Sequence, residues 1–165
     1  MELILFLFFL FFFAADVPTQ DSLLAPPDPA QPVPAAEARE PEPQVATGQF
    51  TTAVEIRPIL DMTQGSWIAL REYDGQDLLY FTHLLAWRCG LWEIRYGING
   101  APATEEIPLE PCQTATATPN AITDAGYPLY LAFPLGSVRT VTVQITYDDG
   151  ARADARYIRE QVLIP

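Results

Sequence analysis

The stretch from Thr140 to Tyr147, TVTVQITY, constrains the fold more than any other part of the chain. Val141, Val143, Ile145 and Tyr147 fall on one side of an extended backbone, and Thr140, Thr142, Gln144 and Thr146 on the other. A period of two belongs to a strand, not a helix. A polar second face leaves one side of the sheet in water, which an antiparallel sheet tolerates. Asp148-Asp149-Gly150 then turns the chain, and Ala151 to Leu163 is expected to run back beside it.

Similar patterns recur from residue 48 onward. FTTAVEIR (50–57) alternates and stops at Pro58, which predicts an edge strand. SWIALREY (66–73) places Trp67 and Ala69 on one face and Ile68, Leu70 and Glu72 on the other, and Asp74-Gly75 follows as a hairpin turn. LLYFTHLLAW (78–87) is apolar almost throughout and reads either as a buried strand, favoured by Tyr80-Phe81-Thr82, or as a helix begun by Asp77 and stopped by Gly90. LWEIRYGI (91–98) alternates up to Asn99-Gly100, and YPLYLAFPL (127–135) is a short strand between prolines. About seven short strands with frequent turn signals predict an all-β domain, an antiparallel β-sandwich of immunoglobulin-like architecture. A small β-barrel is the second choice.

The first 47 residues are different. From Leu3 to Ala15 thirteen apolar residues follow one another, fewer than the roughly 20 that a spanning helix needs. That length suits a signal peptide, with small residues at Ala14 and Ala15 for cleavage. Glu2 in place of a basic start and Phe13 before the cut keep open an uncleaved N-terminal anchor. Residues 16–47 hold eight of the sixteen prolines and neither Gly nor an aromatic residue, which predicts a disordered, acidic linker. The domain is therefore placed at 48–165.

Net charge is −12, and all nine basic residues are Arg. Nucleic-acid binding draws on a basic surface that releases counterions, so this balance excludes it as an expected partner. Contact with a membrane is expected only if the leader stays attached.

Cys89 and Cys112 are the only cysteines. A structural zinc site wants four N or S ligands, and the chain adds only His83 to the two thiols. A nucleophilic Cys needs a base nearby. On a strand His83 would stand roughly 20 Å from Cys89, at about 3.3 Å per residue. Free thiols fit a reducing compartment, whereas an exported protein favours a disulfide. Bridging 23 positions would remove about 3 kcal/mol of unfolded-chain entropy.

Two acidic clusters, Glu72–Asp74–Asp77 and Asp148–Asp149–Asp154, offer oxygen ligands for calcium without the spacing of a helix–loop–helix calcium loop. The first lies close in sequence to His83 and supplies the alternative of a carboxylate-dependent hydrolase using the 72–83 region. No Gly-x-Ser-x-Gly elbow accompanies it. The aromatic residues Trp67, Tyr73, Tyr80, Trp87, Trp92 and Tyr96 serve either core packing or an exposed binding strip. Trp67, Tyr73, Trp87 and Trp92 are the candidate ligand contacts. No cofactor and no metal are expected.

The block REYDGQDLLYFTHLLAWRCGLWEIRYGING (71–100), with TPNAI (118–122) and the later DDG, resembles a group of small exported hypothetical proteins of alphaproteobacteria. That resemblance implies a bacterial envelope or secreted setting and assigns no site residues. The expected function is that of a non-enzymatic exported module that binds a protein or a glycan in the periplasm or outside the cell.

Overall fold

The computed structural model describes residues 39–165; the leader and residues 16–38 of the expected linker lie outside the described residues. One compact unit spans Arg39–Pro165. The last nine residues of the segment expected to be linker therefore belong to it.

Most of the regular structure is β, divided between two sheets. The strands are β1 (Ala69–Tyr73), β2 (Gln76–Tyr80), β3 (Leu91–Ile98), β4 (Glu105–Glu106), β5 (Tyr130–Pro134), β6 (Thr140–Tyr147), β7 (Arg152–Ile158) and β8 (Leu163–Ile164). The first sheet runs β5-β2-β1-β8 and the second β4-β3-β6-β7. Every pair is antiparallel except β1 with β8. The strands do not close into a barrel; they form two four-stranded sheets.

The predicted alternation carries through. Val141, Val143, Ile145 and Tyr147 are buried, as are Leu70 and Leu79 of the first sheet and Ile94 of β3, and one contiguous core cluster holds them all. Both Asp74-Gly75 and Asn99-Gly100 adopt the left-handed backbone that a tight two-residue hairpin turn requires, with φ of 48° and 74° in the first. At Gly97 the turn doubles back so closely that an added Cβ would stand 2.2 Å from the Pro102 carbonyl oxygen.

The expected edge strand at 50–57 is instead a helix, α1 (Ala53–Met62), with Pro58 inside it. Ala53, Ile56 and Leu60 are fully buried, and their spacing of three and four is that of a helix stripe. The Glu55 carboxylate accepts from the amides of Thr47, Gly48 and Thr51 and from the Thr52 hydroxyl, closing the turn before the helix. Burial and this closure outweigh the interior proline. The ambiguous stretch at 78–88 is both things in succession: β2 ends at Tyr80, and α2 (Thr82–Leu85) with a 3₁₀ turn at Arg88–Gly90 follows. After β7 a single helical turn, α3 (Arg159–Val162), leads into β8. Among the described residues no helix is long and apolar enough to cross a membrane.

Cys89 and Cys112 form a disulfide with Cα atoms 5.2 Å apart. It joins the turn that enters β3 to the loop that leaves β4.

Candidate functional site

The side chains of β2 alternate between the core and the outside. Leu79 and Asp77 point inward and Tyr80, Leu78 and Gln76 toward the other face, where Leu78 is itself covered at 7% exposure, and the register extends that face to β5 and β1: Tyr130, Ala132 and Pro134 lie across from them on one side, Ala69, Arg71 and Tyr73 on the other. The outer face of the first sheet thus carries three tyrosines. Tyr80 and Tyr130 are direct cross-strand partners with ring centroids 5.1 Å apart. Tyr73 is 58% exposed, and the Arg71 guanidinium lies 5.3 Å from its ring centre. Ile164, cross-strand from Arg71 on β8, adds further exposed apolar surface.

Next to Tyr130 the 122–130 segment walls an open groove of about 600 Å³, lined chiefly by Ile122, Asp124, Tyr127, Pro128, Leu129 and Tyr130. Buried polar anchors hold the chain that leads into this wall, at Asn120, Ala121 and Thr123. The Arg88 guanidinium, 3% exposed, donates to the carbonyls of Glu110, Asn120 and Ala121. The Asn120 side chain accepts from the Cys89 amide. The Glu110 carboxylate accepts from the Thr123 amide and hydroxyl and from Gln113. Burial alone would raise the Glu110 pKa, but these donors outweigh it and hold the carboxyl below its usual value. The disulfide fixes the start of the same loop.

The four aromatic candidates separate. Trp67 is fully buried and its indole donates to the Leu60 carbonyl, so it serves the core and its ring is out of a ligand's reach. Trp87 stacks edge-on against Phe50 at 5.3 Å. Trp92 lies under the N-terminal segment, with its indole donating to Glu42 and the Arg39 guanidinium 5.3 Å from its ring centre. Tyr73 alone belongs to the outer sheet face. Sequence reasoning passed over Tyr127 and Tyr130. The signal was present in YPLYLAFPL, where a period of two puts Tyr130, Ala132 and Pro134 on one face.

Three of the residues of the hydrolase alternative, Glu72, Asp77 and His83, have partners in the fold, and Asp74 lies exposed in the hairpin turn. Arg159 grips Asp77 with two bonds of 2.8 Å and also donates to Glu72. Those bonds, helped by the Val138 amide, overcome burial and hold the Asp77 carboxyl down to about 2, so it has no proton to give near neutral pH. His83 Nε2 is paired with the Thr63 hydroxyl at 2.8 Å, and burial lowers its pKa. Of the second cluster, Asp149 pairs with Arg57 and Asp154 accepts from Gln144. Among the described residues no group of three or more His, Cys, Asp or Glu is placed to hold a metal ion.

No protein-family model, no curated protein and no solved structure matches this chain.

Proposed function

We propose that this chain is an exported, non-enzymatic binding module of the cell envelope, which engages a protein or glycan partner through the tyrosine face of its first sheet and the adjoining groove. The observation that carries this reading is the grouping of Tyr73, Tyr80 and Tyr130 on one sheet face beside the Tyr127–Tyr130 groove. Tyrosine offers a large, rigid contact area with a polar tip at small entropic cost, the usual composition of recognition surfaces.

The architecture behind it is an immunoglobulin-like sandwich. Lettered in chain order, strands one to seven give A-B-E in the first sheet and C-F-G in the second, with the fourth strand moved to the C edge. A core shared by both sheets supports the same assignment. Export to the periplasm or beyond is supported by the disulfide, which persists in oxidising compartments, by the short apolar leader, and by the resemblance to exported alphaproteobacterial proteins.

Purified full-length protein from the native envelope, offered to glycan arrays and to displayed peptides, tests the reading. The expected result is one ligand class whose affinity falls at least about tenfold, some 1.4 kcal/mol, in Tyr127→Ala/Tyr130→Ala with unchanged melting temperature. Ligands that bind the double variant as well as the wild type would move the site elsewhere. Recovery of the mature chain from cytosol with both thiols free would remove the export reading.

A further inference from the structure

The first sheet ends at β5, and no strand among the described residues pairs with its other side. The second sheet ends at β7. The two edges are defended differently. Along β7 exposed Arg152, Asp154 and Arg156 alternate with half-buried alanines, so charges stud the edge and discourage another chain from pairing. Along β5 the sequence is Tyr-Leu-Ala-Phe-Pro, with no charge at all. Its only defence is Pro134 at the last position.

The hydrogen-bonding direction of β5 follows from its register. The Phe81 amide donates to the Leu129 carbonyl at 3.0 Å. In an antiparallel pair bonded and non-bonded positions alternate. Leu131 and Phe133 therefore bond inward to Leu79 and Asp77, while Tyr130 and Ala132, opposite Tyr80 and Leu78, turn their N–H and C=O groups to the open edge. Pro134 falls in the same outward series but has no N–H, and its carbonyl already accepts from the Ser137 amide, so the free groups are those of Tyr130 and Ala132. The free backbone groups thus border the tyrosine groove, whose only charged lining side chain is Asp124.

We infer that β5 is a docking strand, and that the partner is an extended, basic polypeptide segment which adds to the first sheet as a further strand. This rests on the binding-module reading and names its partner. Tyr130 and Ala132 supply the main-chain bonds. The groove between Ile122, Tyr127 and Leu129 takes one apolar or aromatic side chain of the segment. Charge selects the occupant. The unit from Arg39 to Pro165 carries sixteen Asp and Glu against nine Arg, so a second copy is repelled at low salt and a cationic segment attracted.

The test uses synthetic capped heptapeptides of alternating Val and Tyr, flanked by Arg in one version and by Glu in another. The Arg peptide is expected to bind full-length protein at least about tenfold more tightly than the Glu peptide, with an affinity that falls as salt is raised. Binding should slow amide exchange at Tyr130 and Ala132 and leave Leu131 and Phe133, already paired, unchanged. N-methylation of alternate peptide amides on one edge should weaken binding at least about tenfold, and on the other edge hardly at all. That contrast needs no change to the protein. Ala132→Pro, which deletes an outward N–H without touching a bond to β2, should reproduce the loss if its melting temperature is unchanged.

Equal binding by both N-methylated peptides, or protection confined to other amides, would overturn strand addition and leave the tyrosine surface standing as a binding site. Dimerisation of the protein through β5 would replace the basic partner by a second copy. Binding of glycans and of no peptide would overturn this inference alone. Binding of neither would overturn the module reading with it.

Discussion

Two carboxylates lie almost out of solvent in this domain, Asp77 at 0% and Asp148 at 1% exposure, and their surroundings treat them in opposite ways. Asp77 has both oxygens occupied: Arg159 reaches across from the chain after β7 to grip it, and the Val138 amide completes the set. Asp148 has one oxygen occupied. Its Oδ1 accepts from Gln44 and from the Ala53 amide at the first turn of α1, and its Oδ2 has no partner in the protein. The first carboxyl is held down to about 2 by the Arg159 bonds, while burial, helped by Glu42 and Asp149, raises the second above its ordinary value. Depth alone therefore says little about a buried acid. What counts is how fully donors meet it, whether a cation as at Asp77 or neutral groups as at Glu110.

Removing that cation is the strongest way to break the comparison. Arg159→Ala leaves Asp77 buried and uncompensated, and should cost about 3–5 kcal/mol in urea denaturation. The lower end is expected, because the Arg159 side chain keeps some contact with water. The pH dependence has a definite sign. A carboxyl whose folded pKa is depressed contributes stability that is fully present above its unfolded value, near 3.9, and is lost as pH falls through the folded value near 2. The wild type should show an acid limb between about pH 4 and 2, and Arg159→Ala should show a smaller one, left to carboxyls such as Glu110 whose pKa is also lowered. A limb of the same size in both proteins would assign acid unfolding to other groups.

Severing the disulfide should cost about 3 kcal/mol, read from the melting of Cys89→Ala/Cys112→Ala. It also separates the two acids. Asp148 donates its amide to the Gly90 carbonyl, one residue beyond Cys89, whereas Asp77 sits on the other sheet. The variant should therefore lose protection against amide exchange around 88–92 and at Asp148, and keep the Asp77 acid limb. Loss of the limb would mean that the two sites melt as one.

How far the sequence foretold this arrangement depends on range. Strands β3, β6 and β7 and the Asp-Gly and Asn-Gly turns were readable because alternation and turn chemistry are local. The bridge was readable because only two cysteines exist. Helix α1 was misread because the alternation of FTTAVEIR and the stop at Pro58 were given more weight than Thr52 and Glu55, three apart as in a helix-start box, and than Ala53, Ile56 and Leu60 at helical spacing. What decides between the two patterns is the core that the stripe meets, and that core is assembled from distant residues. The Asp77–Arg159 pair spans 82 positions, so no local pattern could announce it. Tyr130 reaches the tyrosine face only because β5 pairs with β2, about fifty residues away in the chain.

Asp148→Asn sharpens the contrast with a smaller effect. Its amide oxygen can still accept from Ala53 and Gln44, and the lost charge at the start of α1 offsets the relief of a buried anion, so stability near pH 7 should change by no more than about 1 kcal/mol. The diagnostic is the slope. A carboxyl with a raised folded pKa binds its proton more tightly in the folded state, so lowering the pH from above that value toward about 3.9 stabilises the wild type. The melting temperature of the wild type should rise relative to Asp148→Asn across this window. Parallel profiles would show that the unpartnered oxygen is solvated and its pKa ordinary.

A similarly small effect is expected from Gln44→Ala, about 0.5–1 kcal/mol, because Gln44 lies at the surface and water can replace part of what it provides. Gln44 nevertheless holds two ends together: its Nε2 donates to Asp148 at 2.8 Å and its Oε1 accepts from the Val54 amide at 3.0 Å. Through it, and through the Glu42 amide bonded to the Asp148 carbonyl, the segment from Arg39 to Thr47 lies against the folded body. Deleting the side chain leaves Asp148 with the Ala53 amide as its one donor. The Asp148 pKa must then rise further, and the pH window in which acid stabilises the protein must widen upward. Amide exchange should quicken at Glu42 and Val54 without change at Asp77's donor Val138. If exchange at 39–47 is already fast in the wild type, the segment is not held by Asp148, and the buried acid serves α1 alone.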